Sequence, residues 1–139
     1  MSPYVVDASV GVKWLIPEVH TADALRLRQP GNQLHVPLFF DVEVANILWK
    51  KLRQGVLSRA QADLLLGQLP GLPLTRHPEA SLLAPAFNIA AQAQRTVYDC
   101  LYLACALEQR CDLVTADERF FNSMSVAFPC IKLLRSFDF

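Results

Sequence analysis

At 139 residues the chain has the length of one domain, long enough to bury roughly two-thirds of the surface its unfolded form would expose. Hydrophobic residues make up 53% and charged ones 19%, which excludes a disordered chain and points to apolar surface beyond one core, as a partner interface would need. Thirteen basic residues balance thirteen acidic ones, which excludes a whole-molecule field that would draw the protein to nucleic acid or an anionic membrane, so any such affinity must be local.

The opening Met-Ser-Pro leads into no basic segment with an apolar run and cleavage site. No stretch approaches the roughly 18 apolar residues that span a bilayer, so the expected compartment is the cytoplasm, with no membrane partner. The first strand is expected at Tyr4 to Asp7, where aromatic and β-branched side chains suit a pleated, apolar environment. It ends in a carboxylate, although burying an unpaired charge is costly enough that the group would rather neutralise. A helix from about Ser9 to Ile16 stops before Pro17, and a second runs from about Thr21 to Arg28 before Pro30 and Gly31. Leu34 to Val36 reads as the next strand. Asp41 to Gln54 then sets Ala45, Leu48, Trp49 and Leu52 on one helical face, with Gly55 as the stop.

Ser58 caps a fourth helix reaching about Leu69, and Leu72 to Thr75 is expected to be the third strand. Ser81 to Gln94 reads as a helix with Pro85 early in it as a boundary or kink. Thr96 to Arg110 is the next helix, Leu113 to Thr115 a strand, a short helix follows Asp117, and Ile131 to Leu133 is the last strand. Strand-like runs alternating with helices predict an α/β fold with a mainly parallel sheet. No repeat, low-complexity run or linker divides the chain, which reads as a single domain over 1–139.

Cys100, Cys105, Cys111 and Cys130 lack the two-residue spacing of a zinc ribbon or redox pair and read as small core residues in a reducing compartment. His20, His35 and His77 are scattered and form no ligand pair. Four acids stand out instead. Asp7 and Asp117 each follow an apolar strand and precede a helix, where Asp117 also serves as an N-cap and Asp7 as the turn former before a helix capped by Ser9. Asp99 is the single charge in VYDCLYLACAL, a run apolar nearly all round. There Thr96 with Asp99 has the spacing of a capping box, and an acid suits the helix dipole. Glu43 lies on a helical flank with Asn46 and Lys50, one acid among small and apolar residues in VEVAN.

In an open parallel sheet, ligand sites gather outside the carboxyl ends of the strands. Acids meeting at that rim repel one another, and each pKa rises unless a cation neutralises them. An oxygen-only donor set without nearby His or Cys suits a hard divalent ion, Mg²⁺ or Mn²⁺.

The order of motifs, VVDASV, DVEVANIL, VYDCLYLACA and LVTADERF, resembles the PIN-domain nucleases, in particular the VapC-type toxins of bacterial toxin–antitoxin pairs. The resemblance spans nearly the whole chain at family-like spacing. It implies a three-layer α/β/α sandwich with a mainly parallel sheet of four or five strands, and a metal-dependent ribonuclease. The family's acidic positions map onto Asp7, Glu43, Asp99 and Asp117, its Thr before the last acid onto Thr115, and a common polar position onto Ser9. Asn122 falls near a site where some relatives carry another acid.

The implied chemistry is phosphodiester hydrolysis, with Asp7, Asp99 and Asp117 on the metal and Glu43 orienting the attacking water or holding a second ion. Thr115 and Ser9 would position carboxylates or waters. Lys13, Lys50, Arg95 and Arg119 are the candidates for holding RNA phosphates. The substrate would be a structured RNA such as a transfer or ribosomal RNA. Leu- and Ala-rich helices between Asp41 and Leu69 suggest a homodimer, and the resemblance adds an antitoxin whose tail would cover the acidic rim.

Two other readings stand beside this one. A doubly wound phosphatase of the haloacid-dehalogenase type would want a second Asp two residues after Asp7, where Ser9 stands. A receiver domain would want an acidic pair near the first strand. The remaining reading is a PIN-like module serving only as an RNA-binding or protein-interaction scaffold, against which all four acids are present.

Overall fold

Strands buried on both faces must read as continuous apolar runs, and a parallel sheet covered by helices is the arrangement that buries them. The computed structural model describes residues 2–138. In chain order these form β1 (Ser2–Val6), α1 (Ala8–Leu15), α2 (Thr21–Leu27), β2 (Asn32–Pro37), α3 (Phe39–Arg53) and α4 (Arg59–Gln68). There follow β3 (Thr75–His77), α5 (Leu83–Ala93), α6 (Val97–Gln109), β4 (Asp112–Thr115), α7 (Glu118–Met124) and β5 (Ile131–Leu133), with three short 3-10 turns between or after them.

All strand pairings are parallel, in the order β3-β2-β1-β4-β5. Right-handed crossovers then send the helices before β3 to one face and those after it to the other. Their packing agrees: α1 rests on α2 and α3, α3 on α4, and α5 on α6, which lies across β1 and β2. This is the expected three-layer α/β/α sandwich with a five-stranded sheet. Val5, Val6, Val36, Leu113 and Val114 are fully buried, so the core runs through the middle of the sheet. Because β1 opens the chain and β4 returns to its other side, the strand order reverses between them, and the crevice of a doubly wound sheet opens at such a point.

Two close contacts hold the helices that frame this edge. A Cβ at Gly11 of α1 would come within 2.4 Å of the Phe40 ring, so glycine is what lets α3 approach α1. Arg76 of β3 binds Asp41 of α3 through two nitrogens, Nε to Oδ2 at 2.7 Å and Nη2 to Oδ1 at 3.2 Å, and its Nη2 also donates to the Leu69 carbonyl at 2.8 Å. The forked guanidinium fixes the first turn of α3 against the sheet.

Several expected boundaries shift. Strand β3 begins at Thr75 and not Leu72. Pro73 has no N–H to give a ladder, and the chain turns tightly there, Leu74 N–H donating to the Leu72 carbonyl at 2.8 Å. Helix α5 starts at Leu83, which puts Pro85 in its first turn, where the missing N–H is not needed. Helix α1 is capped by Asp7, not Ser9. Helix α3 buries Phe40, Val44 and Leu48 and leaves Trp49 51% exposed. Ala45, Leu48, Trp49 and Leu52 line a cleft of about 240 Å³ with Ala62 and Leu66 of α4. The expected stripe exists, but it faces a helix neighbour across an open groove. Among the described residues no helix is long and apolar enough to cross a membrane.

Candidate active site

The register of the two central strands builds the first part of the site. Val6 of β1 pairs with Val114 of β4, so the next residues, Asp7 just past β1 and Thr115 at the end of β4, stand side by side at the carboxyl edge of the sheet. Thr115 is fully buried and its hydroxyl donates to Asp7 Oδ2 at 2.5 Å. Ser9 donates to Asp7 Oδ1 at 2.5 Å, and the same oxygen caps α1 by accepting from Val10 N–H at 3.3 Å. Ser9 Oγ in turn accepts from Ala116 N–H at 2.9 Å, and Thr115 Oγ1 accepts from Asp117 N–H at 3.1 Å. Two hydroxyls thus lock the β1–α1 junction to the β4–α7 junction.

Asp7 is 9% exposed. Burial pushes its carboxyl up to about 6, assisted by the negative charge of Glu43, while the Ser9 and Thr115 hydroxyls and Val10 N–H pull the other way. Asp7 is thus both the cap of α1, the role expected of Ser9, and a buried carboxylate.

Glu43 arrives from the second turn of α3. Tyr102 of α6 donates its hydroxyl to Glu43 Oε1 at 2.6 Å. Burial raises the Glu43 pKa, Tyr102 and Lys50 oppose the rise, and the charge of Asp99 adds to it. Asp99 lies in the first turn of α6, where Thr96 caps its N–H at 3.2 Å. Burial raises its pKa, the Arg95 guanidinium opposes, and Asp117 raises it further. Asp117 is exposed and caps α7, accepting from Phe120 N–H at 3.1 Å. The four acids therefore form a chain at one edge, Asp7 repelling Glu43, Glu43 repelling Asp99, and Asp99 repelling Asp117.

Mutual repulsion among partly buried carboxylates is what a bound cation would relieve. The donor set is all oxygen, which favours a hard ion over zinc. Among the described residues no group of three or more His, Cys, Asp or Glu side chains forms a ready chelating cage. Magnesium does not require one, since it keeps several waters and is commonly bound through one or two carboxylates. The residues present fit such an ion.

Other candidates separate. Arg95 pairs with Asp99 at 3.3 Å and its guanidinium lies over the Phe120 ring at 5.4 Å, so it is tied into the site itself. Lys13 donates to Glu18 at 3.2 Å and to the Val19 carbonyl at 2.7 Å. Lys50, Arg119 and Asn122 are exposed. The four cysteines are free, Cys100 and Cys105 buried. The histidines are not all scattered: His35 Nδ1 and His77 Nε2 lie 2.8 Å apart, because β2 and β3 pair in register.

Sequence reasoning missed Tyr102. Its hydroxyl donates to Glu43 from the largely apolar helix α6, and its position three residues after Asp99, close to one turn on, was the available signal.

A profile of the PIN domain family matches residues 4–125. The chain is 37% identical over 115 residues to Ribonuclease VapC3 of Mycobacterium tuberculosis, a match covering 83% of this chain and 82% of that protein. The crystal structure of PAE2754 from Pyrobaculum aerophilum has a TM-score of 0.70 at 23% identity, covering 97% of this chain and 92% of the other. A toxin-antitoxin complex from Klebsiella pneumoniae has a TM-score of 0.63 at 14% identity, covering 94% and 97%. These two structural likenesses speak for the fold.

Proposed function

This chain belongs to the PIN domain family, and we propose that it is a divalent-metal-dependent endoribonuclease of the VapC type. Its role would be the toxin of a toxin–antitoxin pair, built as one nuclease domain over residues 1–139 and working in the cytoplasm. The observation that carries the reading is the chain of four mutually repelling acids at the strand-order reversal, with Asp7 clamped by Ser9 and Thr115. The names of its ribonuclease relatives support the substrate class.

In this reading Asp7, Asp99 and Asp117 hold Mg²⁺ or Mn²⁺, directly or through water. The ion would supply a hydroxide at neutral pH and offset charge on the scissile phosphate and leaving oxygen. Ser9, Val10 N–H and Thr115 keep the Asp7 carboxylate in one orientation and take three of its four lone-pair sites, so the remaining one, on Oδ2, would meet the ion or its water. Tyr102 occupies Glu43 Oε1, which leaves Oε2 to accept a hydrogen bond from the attacking water. Arg95 holds Asp99 against α7 and limits repulsion within the rim.

The partners in this reading are an RNA, a cognate antitoxin and a second copy of the chain. The complex from Klebsiella pneumoniae, similar in fold, is a toxin paired with its antitoxin. The apolar groove between α3 and α4, with Trp49 half exposed, suits a helix of either protein partner.

The test offers mixed cellular RNA to the purified protein with Mg²⁺, with Mn²⁺ and with EDTA. Cleavage that needs the metal and disappears in Asp99→Asn is expected. Cleavage that survives both EDTA and Asp99→Asn overturns the metal assignment, and no cleavage of any RNA with either metal overturns the nuclease reading.

A further inference from the structure

Beside Glu43 the rim opens into a second space. Phe39, Val42, Glu43 and Asn46 of α3 and Tyr98 of α6 line a cleft of about 370 Å³, within the ~300–1,000 Å³ typical of small-ligand sites. Its character differs from that of the acidic rim. Tyr98 stacks on Phe39 with ring centroids 4.9 Å apart and planes inclined by 15°. Phe39 covers only one face of that ring, and Tyr98 remains 59% exposed. Tyr102, which holds Glu43, meets Phe39 edge-on at 6.5 Å, so the aromatic platform and the acid share one support.

An exposed aromatic face fixed by a neighbouring ring is a stacking surface whose ordering cost is already met. Bases splayed out of single-stranded RNA are recognised on such surfaces, while their edges are read by polar side chains. Asn46 supplies an amide with both donor and acceptor capacity at the cleft wall. Glu43 on the same wall disfavours a phosphate in the cleft and leaves a flat, neutral, hydrogen-bonding group as the suitable guest. Glu43, Asn46 and Lys50 follow at i, i+3 and i+7, so Lys50 lies about 10 Å further along the helix axis. Lys50 is exposed, and its charge reaches Glu43.

We propose that this cleft receives one unpaired nucleobase of the RNA, stacked on the open face of Tyr98 and read at its edge by Asn46. Lys50 then meets the backbone phosphate beyond it. The proposal rests on the ribonuclease reading for the identity of the ligand, and it makes Tyr98 and Asn46 the determinants of cleavage context.

Binding is measured by fluorescence anisotropy in an Asp7→Asn background, which removes cleavage. The probes are labelled single-stranded oligoadenylate, oligocytidylate and oligouridylate, and an abasic ribose-phosphate oligomer of equal length. Tyr98→Ala is expected to weaken binding of at least one base-bearing probe roughly 10-fold or more, Tyr98→Phe to restore it, and the abasic probe to bind all three proteins alike. Asn46→Ala is expected to change the preference among the three probes. Equal weakening on the abasic oligomer overturns the proposal. So does unchanged RNA affinity in Tyr98→Ala with loss of self-association in sedimentation, which would make this face a contact between copies.

Cleavage by the protein with Asp7 intact separates the two readings. If it cleaves RNA and Tyr98→Ala changes neither KM nor base-bearing affinity, the subsite fails and the nuclease stands. If it cleaves nothing while Tyr98-dependent base binding persists, the nuclease fails and the subsite stands.

Discussion

Asp7 and Asp117 have the same local grammar and opposite surroundings. Each follows an apolar strand, each caps the next helix, and each is tied to Thr115, the last residue of β4. Yet Asp7 is 9% exposed with its carboxyl raised to about 6, while Asp117 lies in solvent. The difference comes from position: Asp7 directly follows β1, the middle strand of the five, while Asp117 stands two residues beyond the end of β4, where the chain swings outward to α7. Capping is thus a property of the junction, and the strained charge is a property of depth in the sheet.

The sharpest way to break the comparison is Asp7→Asn. The amide can still cap α1 and meet both hydroxyls, but it carries no charge. Metal-dependent cleavage is expected to fall by more than the roughly 100-fold typical of losing a supporting partner, while the melting temperature in EDTA at pH 7 rises by several degrees. A fall in melting temperature would show that the cap outweighs the charge.

Thr115→Val comes next. It removes the donor to Asp7 Oδ2 and the acceptor for Asp117 N–H without changing volume. Cleavage is expected to drop about 10- to 100-fold, with the Asp7 carboxyl pushed higher still. Unchanged activity would mean that Ser9 alone holds the carboxylate.

The third comparison is one of pH. The folded pKa of Asp7, about 6 against 3.8 unfolded, means that the folded state binds the extra proton. Its contribution is fully present below pH 4 and lost as pH rises through 6. That loss is about 3 kcal/mol at ~1.4 kcal/mol per unit. Urea titrations in EDTA are expected to show this segment of the curve in the native sequence and not in Asp7→Asn. A curve identical in both proteins would assign the slope to another group.

Asp117→Ser carries the smallest effect on stability. Serine keeps the cap, so stability should move by less than the ~1 kcal/mol that Asp117→Ala costs, whereas cleavage should fall with the loss of the carboxylate. Full activity in Asp117→Ser would reduce this residue to its cap.

Much of this arrangement was legible in the chain because the fold is periodic and the acids interrupt the period. Val5-Val6-Asp7 and Val114-Thr115 announce strands that end in polar groups, and Thr96 before Asp99 announces a helix start. What could not be seen was set by contacts across the sandwich. Tyr102 lies in a helix apolar nearly all round, where a phenol and a core aromatic look alike until α3 supplies Glu43. Trp49 looked buried because its stripe is helical, but burial depends on how closely α4 approaches. His35 and His77 are 42 residues apart, and only the β2–β3 register brings them into contact. The start of β3 moved because Pro73 constrains the backbone more strongly than the leucines around it favour a strand.

The hydroxyl clamp at Asp7 has one more consequence, for the timing of the protein's birth. Its donors come from Ser9, made almost at once, and from Thr115, 108 residues after Asp7. Chains are synthesised from the N-terminus at roughly 5–20 residues per second, so Asp7 waits about 5 to 20 seconds for the strand that completes its surroundings. A nascent chain therefore carries no complete clamp on Asp7 until Thr115 has been made, and the buried carboxylate acquires its surroundings only near the end of synthesis.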